Sequence, residues 1–186
     1  ERAGTDIYRN MLGWDITDFG SGDFAKQGLF LFTVRNGPTA DLKAGRGMLY
    51  AEKIMIVREK QLTPTHRHNI KVEDIINRGG ATLALELNVR GDDDSVDQKT
   101  DVKVLVDGEE RTLPAGGTLK LEPGQSVTLF PTTWHSFWAE GGDCLVGEVS
   151  TVNDDVGDNV FVTPIGRFSD IEEDEPPLHL LVAAYR

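Results

Sequence analysis

The sequence predicts an all-β protein, a β-barrel of the jelly-roll kind with a short N-terminal helical segment. Short runs rich in Val, Ile, Leu, Phe and Thr recur along most of the 186 residues. Turn signals such as Asp107-Gly108 and Pro123-Gly124 separate these runs, at intervals of about ten residues. Evenly spaced short strands are typical of sandwiches and barrels. The length suits one domain, which we expect to span residues 1–186, with its functional core at about 50–150.

The predicted elements follow the chain in a simple order. A helical segment is expected at Thr5 to Leu12, where Thr5 or Asp6 supplies the cap. The predicted strands are residues 28–34, 51–58, 82–89, 102–106, 118–121, 126–130 and 144–149. The first strand ends at the turn signal Asn36-Gly37-Pro38. A last apolar run, Leu178 to Tyr185, predicts either an edge strand or a strand that packs on a partner subunit.

Composition narrows the classes of partner. The chain carries 19 Lys and Arg against 31 Asp and Glu, a formal net charge of -12, so nucleic acid and membrane surfaces are unfavourable partners. A small neutral polyol carries no such penalty. The one cysteine, Cys144, allows no intrachain disulfide, and no apolar stretch approaches the ~20 residues of a bilayer span. We therefore expect a cytoplasmic protein.

Three of the four histidines fall in a pattern that predicts a metal site. His66 and His68 are two residues apart, so in a strand their side chains share a face. Glu73 follows shortly after them, and His135 lies downstream in a second β-rich region. Three imidazoles and one carboxylate suit one divalent metal, such as Mn²⁺, Fe²⁺, Co²⁺, Ni²⁺ or Zn²⁺. An octahedral ion held by these four side chains keeps two adjacent positions for two substrate oxygens.

The motifs around these residues resemble those of the cupin superfamily. They are His66-x-His68-x4-Glu73-x6-Gly80 and Gly124-x6-Pro131-x3-His135. A narrower resemblance, to the D-lyxose isomerase family, rests on residues 71–80, 147–155, 158–159 and the C-terminal segment from Arg167. It implies a cupin-type barrel, a homodimer, most often Mn²⁺, and interconversion of D-lyxose with D-xylulose and often of D-mannose with D-fructose. The chain departs from the family where Val160 replaces an Arg.

The implied reaction moves a proton between neighbouring carbons while the metal stabilises the enediolate that forms. Glu148 is the candidate base. The pattern from Val146 to Val149 places it either in the barrel interior or at the surface, and the resemblance favours the interior. Lys71 is either a proton donor to a sugar oxygen or a solvent-facing lysine.

Three further residues are candidate substrate contacts. We expect Asp158 and Arg167 to bind distal hydroxyls of the sugar. Trp134, next to His135, either lines the sugar pocket or packs in the core, because aromatic rings stack well on the C–H side of a pyranose but also fill barrel interiors.

Two other functions share the predicted metal site. An Fe-dependent cupin dioxygenase needs the metal ligands but not Glu148 or the run Asn153-Asp154-Asp155. A non-catalytic sugar-binding cupin keeps the barrel and needs no base. Dependence on Mn²⁺ without O₂ consumption separates the isomerase from the dioxygenase, and the effect of Glu148→Gln separates it from the binding protein.

Overall fold

The computed structural model describes residues 4–170, 172 and 174–182, and its architecture is almost entirely β. Within these residues, twelve antiparallel strands join in one sheet, and two short helices lie before and between the first strands. The helices are α1 (Asp6–Arg9) and α2 (Thr39–Ala44). The strands are β1 (Gly13–Thr17), β2 (Leu29–Asn36), β3 (Tyr50–Val57), β4 (Thr63–His68), β5 (Glu73–Arg90), β6 (Val96–Asp97), β7 (Val102–Val106), β8 (Glu109–Leu113), β9 (Gly117–Leu121), β10 (Ser126–Leu129), β11 (Thr133–Thr151) and β12 (Asn159–Phe161). The all-β prediction is confirmed.

Two long strands organise the sheet. Its main order is β1-β2-β3-β11-β5-β10-β7-β8, with β4 paired to β11 and β12, and with β6 and β9 paired to β5. The strands β5 and β11 are 18 and 19 residues long and pair with each other along most of their length, interrupted by register shifts near their middles. Gly80 lies at this interruption with φ +99°, and a Cβ there would come 2.3 Å from the carbonyl oxygen of Asp143. Glycine is therefore required where the two strands bend together.

The core follows from the period-two pattern of the strands. In β7, for example, Val102, Val104 and Val106 are buried while Lys103 is exposed. The aliphatic side chains of the core come from β2, β3, β5, β7, β9, β10 and β11. Each fully buried aliphatic side chain contributes about 1.5–3 kcal/mol. This packing holds the strands that carry the site described below.

Most predicted strands appear within two residues of their expected ends, whereas both predicted terminal elements differ. The N-terminal helix is limited to Asp6–Arg9, because Met11 takes a positive φ of 54° that an α-helix does not allow. The predicted last strand is wrong over its described part, residues 178–182, where Leu178 is 91% exposed and pairs with no strand. Residues 183–185 of that prediction lie outside the described residues. No helix in the described ranges is long and apolar enough to cross a membrane.

Candidate active site

A cavity of about 370 Å³ lies inside the barrel, and its lining has a charged part and an apolar part. The charged and polar part contains Lys53, His66, His68, Lys71, Glu73, His135, Glu148, Asp155, Asn159 and Arg167. The apolar part includes Leu29, Leu31, Met55, Ile75, Phe137 and Phe161. Such a cavity suits a small ligand that carries both hydroxyls and C–H surface.

The predicted metal ligands converge on one point of this cavity. One nitrogen each of His66, His68 and His135 lie within 4.8 Å of one another. The carboxylate of Glu73 lies beside them, with Oε1 3.1 Å from Nε2 of His68 and 3.2 Å from Nε2 of His135. The strands explain the convergence, because His66 on β4 is the register partner of His135 on β11. Two ligands that are close in sequence, His66 and His68, are thus joined by His135 through the pairing of distant strands.

The cluster has the protonation pattern and the unpaired atoms that a cation site needs. Nδ1 of His66 lies 2.8 Å from the carbonyl oxygen of Pro64; a carbonyl only accepts, so Nδ1 carries the hydrogen and Nε2 does not. Burial, with His135 and His68 adding to it, lowers the pKa of His66 well below its usual range; burial also lowers the pKa of His68. Both nitrogens of His68, Oε1 of Glu73 and Nε2 of His135 are buried without a hydrogen-bond partner. Buried imidazole nitrogens gathered around the free oxygen of a carboxylate fit a divalent cation.

Lys71 links this cluster to Glu148. Its Nζ lies 2.8 Å from Oε2 of Glu73 and 2.8 Å from Oε1 of Glu148, and all three side chains are at least nine-tenths buried. Burial alone would lower the pKa of Lys71, but Glu148 and Glu73 outweigh it and raise that pKa. Burial would likewise raise the pKa of Glu148, but Lys53 and Lys71 hold it below its usual range. Glu148 therefore faces the cavity interior, paired with buried cations that favour its ionised form.

Asp158, a predicted substrate contact, holds the turn that presents Lys71. Its carboxylate accepts hydrogen bonds from the backbone N–H groups of Asn69 and Ile70, at 3.0 and 2.8 Å, and of Lys71, at 2.9 Å. The side chain is not part of the cavity lining. Three backbone donors use both of its oxygens, so Asp158 fixes the connection between β4 and β5.

Trp134 also lies outside the cavity lining, and its surroundings match the core position that was the alternative to a pocket role. It precedes His135 in β11, and neighbouring residues of a strand point to opposite faces. The indole N–H donates to the carbonyl oxygen of Ser95 at 3.1 Å, and the guanidinium of Arg67 lies 5.1 Å from the ring centroid. The tryptophan is 3% exposed, and its side chain is buried on the strand face opposite His135.

Arg167 does line the cavity, and its partner was not anticipated. The guanidinium forms an ion pair with Asp15, a fully buried carboxylate on β1, and Thr17 donates a hydrogen bond to the backbone carbonyl of Arg167. These contacts hold the C-terminal segment against the first strand. The departure at Val160 has little consequence for the cavity, because the side chains on either side of it, Asn159 and Phe161, are the ones that line it.

Lys53 is the main site residue that sequence reasoning missed. It lies on β3, is 4% exposed, and its Nζ is 2.6 Å from Oδ1 of Asn153 and 3.3 Å from Oδ1 of Asp155. The structure makes the position evident, because Lys53 occupies the same strand face as the buried Ala51 and Met55, whereas in the sequence the outward Ile54 and Ile56 hide that face. A charged residue among buried positions of a strand indicates a paired or functional charge.

An antiparallel barrel whose interior holds three clustered histidines and a carboxylate defines the cupin class of metal-site barrels. Solved L-ribose isomerases share this fold: the protein from Acinetobacter sp. DL28 has a TM-score of 0.58 at 14% identity, covering 89% of this chain and 88% of that chain. The protein from Cellulomonas parahominis has a TM-score of 0.57 at 17% identity, covering 83% and 84%.

The whole sequence gives a more specific assignment. It matches the family described as D-lyxose isomerase over residues 1–185. A D-lyxose/D-mannose isomerase of Serratia proteamaculans is 52% identical over 182 residues, covering 97% of this chain and 78% of the relative. One of Escherichia coli O157:H7 is 48% identical over 187 residues, covering 99% and 81%. The chain belongs to the D-lyxose isomerase family.

Proposed function

We propose that this protein is an aldose–ketose isomerase that interconverts D-lyxose with D-xylulose and D-mannose with D-fructose. Two relatives named for D-lyxose and D-mannose isomerisation share about half of its residues over nearly the whole chain. The observation that carries the proposal is the position of Glu148, a buried carboxylate that lines the same cavity as the histidine cluster and pairs with Lys71. A barrel that only bound a sugar would not need a buried carboxylate in this place.

Glu148 is the group that moves the proton. In this reaction a carboxylate takes the proton from C2 of the open-chain aldose and returns it to C1. Hydrogen bonds from Lys71 and from the hydroxyl of Ser150, at 2.8 and 3.2 Å, both reach Oε1 of Glu148. Oε2 is then the oxygen that carries the proton. Lys71 keeps the carboxylate in place and offers a proton donor beside the oxygens of the sugar.

His66, His68, Glu73 and His135 are the proposed ligands of one divalent metal, most often Mn²⁺, with Co²⁺, Ni²⁺, Fe²⁺ and Zn²⁺ as alternatives. When bound there, the cation supplies Lewis-acid stabilisation for the negative charge that develops on the sugar oxygens. Lys71 contributes by pairing with Oε2 of Glu73, which leaves Oε1 directed at the histidines. The carboxylate of Glu73 thus pairs with Lys71 through one oxygen and directs its other oxygen at the proposed metal position.

The cavity suits a neutral monosaccharide better than a sugar phosphate. The cationic side chains in its described lining are each already paired: Lys53 with Asp155, Lys71 with Glu73, and Arg167 with Asp15. A phosphate therefore finds no unpaired cation among them, and the overall charge of -12 repels anions. Arg167 remains a proposed contact for the distal hydroxyls, because a guanidinium carries five N–H donors and the ion pair does not use all of them.

The test is conversion of D-lyxose to D-xylulose, followed by NMR, before chelation, after chelation and after add-back of Mn²⁺. We expect conversion to disappear with the chelator and to return with Mn²⁺. Oxygen uptake with Fe²⁺ and no ketose would instead identify a dioxygenase. Saturable sugar binding without conversion in any metal state would identify a non-catalytic binding protein.

A homodimer is the second part of the proposal, supported by an apolar outer face on β1, β2, β3 and β11. The face consists of Trp14, Ile16, Phe30, Phe32, Ile54, Ile56 and Leu145. Register pairing makes it continuous: Trp14 lies beside Phe32, and Phe30 beside Ile56. Five of its members are at least 40% exposed, and an exposed patch of this kind marks an interaction surface.

Light scattering after gel filtration tests the dimer. Ile56→Lys places a charge in the middle of the apolar outer face and should yield monomers. Leu178→Lys, at a residue 91% exposed and outside the face, is the matched control and should leave the mass of the parent unchanged. A dimer that persists in Ile56→Lys would place the interface elsewhere.

A further inference from the structure

Glu148 lies between two lysines, and only one of them, Lys71, lies within the segment that carries the proposed metal ligands His66, His68 and Glu73. The second, Lys53, is the direct register partner of Glu148 across the β3–β11 ladder. Directly opposed residues of antiparallel strands have their side chains on the same face. The Nζ of Lys53 lies 3.6 Å from Oε1 of Glu148, and the side chains are only 5% and 6% exposed. The lysine therefore acts on Glu148 with little screening by water.

Lys53 is itself held by neighbours that limit its movement. Its ammonium donates to Oδ1 of Asn153 at 2.6 Å and to Oδ1 of Asp155 at 3.3 Å. The side chain of Asn36 in turn fixes the backbone of Asn153: its amide N–H donates to the carbonyl oxygen of Asn153, and its Oδ1 accepts from the backbone N–H of Asn153, each at 2.9 Å. A satisfied, buried polar network of this kind defines one position for its members.

Every described contact of the Glu148 carboxylate falls on one oxygen. Lys71, Ser150 and Lys53 reach Oε1 at 2.8, 3.2 and 3.6 Å. Lys53 approaches from β3, and Lys71 comes from the turn before β5, so the two cations approach from the two neighbours of β11. The two lysines thus hold Oε1 and leave Oε2 for proton transfer.

We propose that Lys53 is a positioning residue for the isomerisation, which orients Glu148 through Oε1 and is itself oriented by Asn153. The inference rests on the proposed role of Glu148 as the base. Lys53 does not need to touch the sugar for this role. Its loss lets the carboxylate shift, and a displacement of about 1 Å in a catalytic group costs about 10²-fold in rate.

The first measurement is steady-state kinetics of Mn²⁺-loaded Lys53→Met on D-lyxose. Methionine keeps the length of the side chain and removes its charge. We expect kcat to fall by about 10²-fold, while KM and metal content stay close to those of the parent. Lys120→Met, which removes an exposed lysine paired with Glu140 on the surface, is the matched control and should be indistinguishable from the parent. A fall in kcat of less than about threefold would overturn the inference.

A double-mutant cycle separates positioning from a structural role. If Lys53 acts through Glu148, adding Lys53→Met to Glu148→Gln lowers kcat no further. If Lys53→Met lowers kcat equally in the parent and in Glu148→Gln, the positioning role of Lys53 is overturned, while the role of Glu148 as the base still stands. Parental activity in Glu148→Gln would instead overturn the proposed base, and the role of Lys53 with it.

A milder variant covers the case in which Lys53→Met does not fold. Asn153→Ala retains both charges but removes the nearest partner of Lys53. We expect a smaller fall in kcat with unchanged metal content and KM. Parental kcat in Asn153→Ala would contradict the proposed orientation of Lys53 by Asn153.

Discussion

Replacing Lys71 with methionine tests how strongly the buried charges hold the site together. Lys71 is 3% exposed and lies 2.8 Å from one oxygen of Glu73 and 2.8 Å from one of Glu148. Methionine keeps a similar length, so the change removes the charge with little effect on packing. The variant then contains two buried carboxylates and one cation fewer to neutralise them.

The structure sets the size of the expected effect. Removing one partner of a buried ion pair costs about 3–5 kcal/mol, because the other charge stays buried without compensation. The loss is not doubled here, since Glu148 still has Lys53 at 3.6 Å. For a chain of this length each 1 kcal/mol lowers Tm by about 2–4 °C, so we expect a fall of roughly 6–20 °C.

Thermal unfolding followed by circular dichroism, with a chelator present in every sample, measures this effect without compensation from a bound cation. Lys120→Met is the control, because its partner Glu140 is on the surface and such pairs contribute about 0–1 kcal/mol. Adding Glu148→Gln to Lys71→Met should raise Tm again, since the amide removes one uncompensated charge. A Tm for Lys71→Met equal to that of the control would refute the reasoning.

Other changes probe the base, the metal site and the bend of the long strands. Glu148→Gln keeps the shape of the side chain but not its basicity, so kcat on D-lyxose should fall by about 10²–10⁴-fold while the metal content measured by mass spectrometry stays parental. His68→Ala removes one of the clustered nitrogens and should purify with most of its metal lost; a fully metallated variant would contradict the ligand assignment. Gly80→Ala should lower the free energy of unfolding in urea by more than Gly124→Ala, because both have a positive φ but only the first Cβ meets backbone, at 2.3 Å. Equal losses would mean that the close contact has no role.

The local motifs were predictable because their geometry is local. His66 and His68 share a face in any strand, and Glu73 follows them after one turn, so their convergence needs little knowledge of the rest of the fold. The contact with His135 required only that two β-rich regions pair. The facing of Glu148 was not predictable from its neighbours, because Leu145 and Val149 point outward and are as apolar as the buried Val146.

An apolar outer face explains that ambiguity, and it explains the missed Lys53 as well. In β3 the outward Ile54 and Ile56 are as apolar as the inward Met55 and Val57. A period-two pattern assigns faces by contrast between apolar and polar residues, and here the contrast is absent. The uncertain facing of Glu148, the missed Lys53 and the proposed dimer interface therefore have the same cause: this part of the sheet is apolar on both sides.

The two predicted substrate contacts that lie outside the cavity lining are there for different reasons. Asp158 accepts hydrogen bonds from residues that are 87 to 89 positions away in the chain, and no sequence pattern reveals such a partner. Trp134 was predictable, since it adjoins His135 in a strand and so cannot share its face. Strand parity was sufficient evidence against a pocket role for that tryptophan.

The alternation of side chains along a strand also shows how the irregular middle of β11 builds the site. His135 and Glu148 are an odd number of positions apart along β11, so a regular strand would direct them to opposite faces. Both line the cavity because β11 is irregular between Glu140 and Cys144, where it passes through Gly141 and Gly142 with φ of 82° and 141°. These glycines accept a backbone conformation that other residues rarely adopt. The interruption thus brings a metal ligand and the candidate base, carried by one strand, into the same cavity.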